Sequence, residues 1–89
     1  MFEKKVIVTH KVGLHARPAS AFVQMAAKFT SDITVSCEDR NANAKSILTV
    51  LTLGAHKGAE IKIAADGEDA EEAVNALVEL VENNFGEDE

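Results

Sequence analysis

Two side chains that can do chemistry, His15 and Arg17, stand where a helix is expected to begin. Pro18 fixes φ and has no N–H to donate, which suits the first turn of a helix. From Ala19 onward Ala19, Phe22, Val23 and Ala26 repeat at i, i+3, i+4 and i+7, the spacing of one helical face. His15 is thereby placed at or next to the N-cap. The first N–H groups of a helix lack internal partners and carry the positive end of its dipole, so this terminus is a ready anion site. Gly13 lets the chain bend sharply just before it. A neutral imidazole is nucleophilic near pH 7. His15, Arg17 and the backbone amides of Ala16 and Arg17 suit a phosphoryl group bonded to the imidazole. The amides would hold its oxygens and the guanidinium would add charge-assisted hydrogen bonds. Helix terminus and Arg17 both disfavour imidazolium, so the His15 pKa is expected to be lowered. The same residues also fit a capping histidine beside a solvated arginine, and spacing alone leaves both readings open.

The elements that must position this site can be read along the chain. Residues 2–9 read as a strand, with Val6 and Val8 on one face. The first helix is expected from Ala16 to about Lys28, with Phe29 packing past its end. Ile33, Val35 and Cys37 alternate with Thr34 and Ser36 in a second strand, which points Cys37 inward as a small apolar residue. Residues 38–41 form a polar turn, and 41–44 a short third strand poor in β-formers. Ser46 reads as a hydroxyl N-cap, worth ~1 kcal/mol, for a two-turn helix over Ile47–Leu53 that stops at Gly54. Glu60–Ala65 is a strand with Ile61, Ile63 and Ala65 on one face. Asp69 followed by Glu72 reads as an N-cap with its capping-box partner. The last helix then buries Ala73, Val74, Leu77, Leu80 and Val81. The tail from Gly86 is expected to fray. The order β-α-β-β-α-β-α predicts an α+β fold: an open-faced sandwich of a four-stranded antiparallel sheet with three helices on one face.

Composition narrows the function classes. Eighty-nine residues suffice for one domain, spanning 1–89, around one small core. The single cysteine excludes an internal disulfide, and no Cys/His cluster has zinc spacing, so no metal is expected. His10 and His56 read as solvated loop residues. No apolar run approaches the ~18 residues of a membrane span. Met1 runs straight into Phe2-Glu3-Lys4-Lys5-Val6 with no signal-peptide pattern, and a reduced cytoplasm is the expected location. The net charge of −6 is uneven: ten of the 15 acidic residues lie from Asp66 onward, while the first 65 residues sum to +4. That balance argues against nucleic acid as a partner and permits docking of the basic part onto acidic protein surfaces.

Gly13-Leu14-His15-Ala16-Arg17-Pro18-Ala19 resembles the active-site signature of the HPr family, the histidine phosphocarriers of the bacterial phosphoenolpyruvate-dependent sugar phosphotransferase system. Lys45-Ser46-Ile47-Leu48-Thr49-Val50-Leu51-Thr52-Leu53-Gly54 resembles that family's regulatory-serine helix, at the family's mutual spacing. The likeness covers essentially the whole chain. It implies an HPr-like fold and a carrier rather than an enzyme, without a cofactor. The phosphate would sit on Nδ1 of His15, with Arg17 stabilising it. Enzyme I would be the donor and enzyme IIA domains the acceptors. Val12 stands where family members often carry a small polar residue, so any help from such a side chain is missing here.

The resemblance also gives Ser46 a second role, as the residue phosphorylated by an HPr kinase/phosphorylase and read by a catabolite-control transcription factor. A phosphate at a helix N-terminus need not disturb the fold and would act on docking. Partner docking is implied for Ser20, Gln24 and Ala27 on the first helix and for Ile47, Leu48 and Leu51 on the short one. Val50 and Leu53 are the better core candidates, because a two-turn helix rarely buries every face. A monomer is expected, since the surface must serve successive partners. Two alternatives share these residues: a carrier of the nitrogen-related phosphotransferase system, and a purely regulatory HPr-like binding protein, against which His15 argues.

Overall fold

The structure, a computed structural model, describes residues 1–9 and 16–86. Strands β1 (Phe2–Ile7), β2 (Asp32–Cys37), β3 (Arg40–Asn43) and β4 (Glu60–Asp66) form one antiparallel sheet in the order β1-β4-β2-β3. Helices α1 (Ala16–Ala26), α2 (Ile47–Leu51) and α3 (Ala70–Glu82) cover one face. A short 3₁₀ turn, Asn84–Gly86, follows α3. This is the expected open-faced sandwich.

Alternation decides which face is covered. The register sets Val6 against Ile61 and Ile61 against Cys37, one row of the core. The next buried row holds Ile63, Val35 and Ala42, and the one beyond it Ala65 and Ile33. A one-residue slip would turn every one of these side chains to solvent. Helix residues Ala19, Phe22, Ala26, Val50, Ala73, Val74, Leu77 and Val81 close the core from above. Leu80 lies half-buried at its edge, with Phe29 packed against it just past α1. On the open face Lys5 opposes Lys62, and Glu3 approaches the Lys62 ammonium at 3.6 Å.

Three elements stop short of their expected ends, α2 among them, which closes at Leu51 rather than Leu53 as the Thr52 and Leu53 N–H groups bond to the Thr49 and Val50 carbonyls. β1 ends at Ile7, although Val8 still bonds outward: its N–H donates to the Ala59 carbonyl, and its own carbonyl accepts from the Gly58 N–H. α1 ends at Ala26, where tighter bonds from Lys28 to Met25 and Phe29 to Ala26 close the last turn. The weak third strand forms because Ala42 fits against Val35 and the Ser36 hydroxyl donates to Asn41 at 2.7 Å. Cys37 is buried, and burial, helped by Glu38 and opposed by Arg40, pushes its thiol pKa up.

Both expected side-chain caps take a different form. Ser46 has the extended backbone of an N-cap, yet its side chain makes no capping bond. Neighbouring groups brace the turn before α2 instead: the Thr49 hydroxyl lies 3.0 Å from the Asn43 carbonyl and 3.1 Å from that of Ser46, and Asn43 Oδ1 accepts from the Lys45 N–H. Asp69 likewise makes no side-chain cap to α3. Its carboxylate has left the helix for the turn between α1 and β2. There the backbone N–H groups of Thr30 and Ser31 donate to it at 2.8 and 2.9 Å, and both hydroxyls add further bonds. Four donors outcompete the one or two that a helix terminus offers.

Candidate functional site

The sequence places the reacting group at residue 15, within 10–15 and so outside the described residues. The elements on either side of that stretch are described. α1 begins at Ala16, as the motif requires. Arg17 is exposed in the first turn, while Pro18 and Ala19 are buried behind it. Phe22 and Ala26 continue that buried face, so the pattern that anchors the helix also turns Arg17 outward.

The orientation of α1 follows from its two ends. Beyond its carboxyl end, Thr30 and Ser31 grip Asp69 at the start of α3. α1 and α3 pack against each other, and the turn that follows α3 also packs on α1. The helices therefore run antiparallel, and the 3₁₀ turn reaches the end of α1 that carries Arg17. Asn84 in that turn accepts a 2.9 Å bond from the Thr9 hydroxyl.

The Asp69 carboxyl is held down at about 2, below its ordinary 3.8, first by the Ser31 hydroxyl and then by the Thr30 N–H. Hydrogen bonds to the charged form favour it. Gly67 completes the junction. At φ 153° a side chain there is strained, and an added Cβ would lie 2.8 Å from Ser31 Cα and collide with its hydroxyl.

The proposed docking residues are gathered where α1 packs against α2. Leu48 is 73% exposed and Leu51 39%, whereas Val50 and Leu53 are buried and Ile47 is half-buried against the core. On α1, Gln24 and Ala27 are exposed and Ser20 half-buried, and the Gln24 amide donates to the Ser20 hydroxyl at 3.0 Å. The arrangement is an apolar pair flanked by amide and hydroxyl groups. Behind it, Lys45 sends its ammonium to the Phe29 carbonyl at 2.7 Å, and Arg40 sends its guanidinium to that of Thr52 at 3.1 Å. These cations tie down α2 and the turn after α1. Nothing in the local sequence signals them, nor the Asp69 and Asn84 bonds, because each joins residues that are distant in the chain.

Among the described residues no group of three His, Cys, Asp or Glu could hold a metal ion. Among them, too, no helix is long and apolar enough to cross a membrane. His56 is exposed, and its Nδ1 lies 3.0 Å from the Lys57 carbonyl.

Comparison with known proteins adds the chemistry. Residues 2–83 match the family model described as the PTS HPr component phosphorylation site. The chain is 49% identical over 88 residues to the phosphocarrier protein HPr of Xylella fastidiosa, covering 99% of each. A crystal structure of HPr from Thermoanaerobacter tengcongensis superimposes with a TM-score of 0.95 at 47% identity over all of both chains. An HPr dimer from the same organism gives 0.78 at 48% identity, covering 98% of this chain and all of that one.

Proposed function

The chain belongs to the HPr family of phosphocarriers in the phosphotransferase system, and from that premise we propose that His15 takes a phosphoryl group from phosphorylated enzyme I. It then passes the group to enzyme IIA domains that serve sugar uptake. The observation that carries this reading is the family match over 2–83, within which Gly13–Ala19 lies. Enzyme I would first be charged by phosphoenolpyruvate. A lone pair on neutral His15 attacks phosphorus as the donor's bond to phosphorus breaks, and transfer onward repeats the exchange. A phosphorus–nitrogen bond is labile enough for a shuttle, whereas a phosphoserine would hold its group. Amides of Ala16 and Arg17 and the Arg17 guanidinium receive the phosphoryl oxygens. The chain is thus a substrate of its partners, needs no cofactor, and acts as one domain in the cytoplasm.

Leu48 and Leu51, with Ile47, Ser20, Gln24 and Ala27, form the face that meets each partner; their position at the α1–α2 junction supports this. Ser46 serves as the regulatory site for an HPr kinase/phosphorylase, with a catabolite-control transcription factor as reader. Its hydroxyl has no capping bond to give up. The monomer is the exchanging form, and the dimer solved for the T. tengcongensis relative makes sedimentation a direct check.

The test is to mix the protein with phosphoenolpyruvate, Mg²⁺ and a bacterial enzyme I, and to follow mass and ³¹P NMR. One acid-labile phosphate that is absent from His15→Ala is expected. No phosphate with several enzyme I preparations would overturn the reading.

A further inference from the structure

Among the described residues Glu38 stands singly in the left-handed region, whereas the turn after α3 places two consecutive non-glycine residues there. Asn84 and Phe85 stand side by side at φ 54° and 58°, in the left-handed region that a Cβ disfavours. A strained pair persists where its surroundings over-determine it, and such pairs gather where a site needs them. Two features hold this one. Phe85 is buried in the core. Asn84 accepts the Thr9 hydroxyl bond across 75 positions of sequence. Thr9 is the residue from which the chain departs into 10–15, the stretch that carries His15. The antiparallel packing of α1 and α3 brings the same turn to the end of α1 that bears Arg17.

We propose that Asn84 is a positioning residue for phosphoryl transfer. Through its bond to Thr9, the turn fixes the point from which the His15 segment sets out, with the start of α1 fixing the other end. Asparagine visits this region readily, so the strain falls on Phe85. The left-handed turn is kept because an extended Asn84 backbone would carry the acceptor away from Thr9. The inference rests on the proposed role of His15 as phosphoryl carrier, so its tests are chosen to fail separately.

Amide hydrogen exchange over residues 10–16 is independent of any phosphoryl chemistry. Thr9→Val and Asn84→Gly should both speed it several-fold, and unchanged exchange overturns the proposal. Asn84→Gly separates positioning from stability, because glycine accepts φ 54° without strain. That variant should resist urea at least as well as the parent. Its transfer kcat should nonetheless fall roughly three- to ten-fold, the scale of one lost hydrogen bond, with KM for the carrier unchanged. Thr9→Val should match it and Thr9→Ser should restore the rate. The double variant should be no slower than either single one, since both remove the same bond. Parental rates, additive losses, or losses that only track stability would each overturn the proposal. A parent that takes no phosphate on His15 would instead overturn the function.

Discussion

The two ends of α1 do different work. Past its carboxyl end the chain is locked. Four hydrogen bonds run from Thr30 and Ser31 to Asp69, Gly67 lies flush on Ser31, and the Lys45 ammonium caps the Phe29 carbonyl. At the amino end, Pro18 and Ala19 are buried while Arg17 faces solvent, beside the motif that carries His15. One end uses its polar groups on one another, and the other exposes Arg17 where the proposed phosphoryl group and partner would meet it. A carrier must present its nucleophile to several proteins in turn. A helix locked by bonds at its far end keeps those bonds clear of that exchange.

The largest effect is expected at the locked end. Gly67→Ala should cost about 2–4 kcal/mol in urea unfolding, from overpacking against Ser31 plus backbone strain. Phosphoryl transfer per folded molecule should not change. A stable Gly67→Ala protein would mean that the junction is looser than this close approach implies. Asp69→Asn should have the next largest effect, lowering the midpoint of thermal unfolding at pH 7. The sign of its pH dependence is fixed. The carboxyl titrates near 3.8 when unfolded and at about 2 when folded. Its contribution is therefore whole above about pH 5 and is lost as pH falls through 2. Stability of the parent should drop across that window more steeply than that of Asp69→Asn, and parallel curves would contradict the clamp.

The opposite dissociation is expected at the proposed docking face. Leu51→Lys should leave stability within about 0.5 kcal/mol while raising KM for enzyme I about ten-fold. A large loss of stability would return Leu51 to the core. The smallest effect belongs to Ser46→Ala. With no capping bond to lose, it should cost less than about 0.5 kcal/mol, against ~1 for a hydroxyl that caps. A full capping penalty in denaturation would show that the hydroxyl does bond in solution.

What the sequence made legible was whatever is written locally. Pro18 marked the start of α1, alternation marked β2 and β4, and the brevity of α2 separated Val50 and Leu53 from Leu48 and Leu51. The site motif is linear, so the family likeness it carries could be read too. Strand order could not, since nothing local in β1 says that its neighbour is β4. Asp69 and Ser46 misled for a related reason. Both have the residue type and position of a cap, but Asp69 finds more donors 38 positions away, and Thr49 and Asn43 complete the turn around Ser46. A capping signal states what a side chain can do, and the tertiary structure decides whether something better is within reach.

The separation of the two ends is tested most directly by an amide NMR map of the protein before and after phosphorylation by enzyme I and phosphoenolpyruvate. Shifts are expected at Ala16, Arg17 and their neighbours, with Thr30, Ser31 and Asp69 unmoved. Shifts of similar size at the Asp69 junction would contradict it and show that the two ends of α1 act as one.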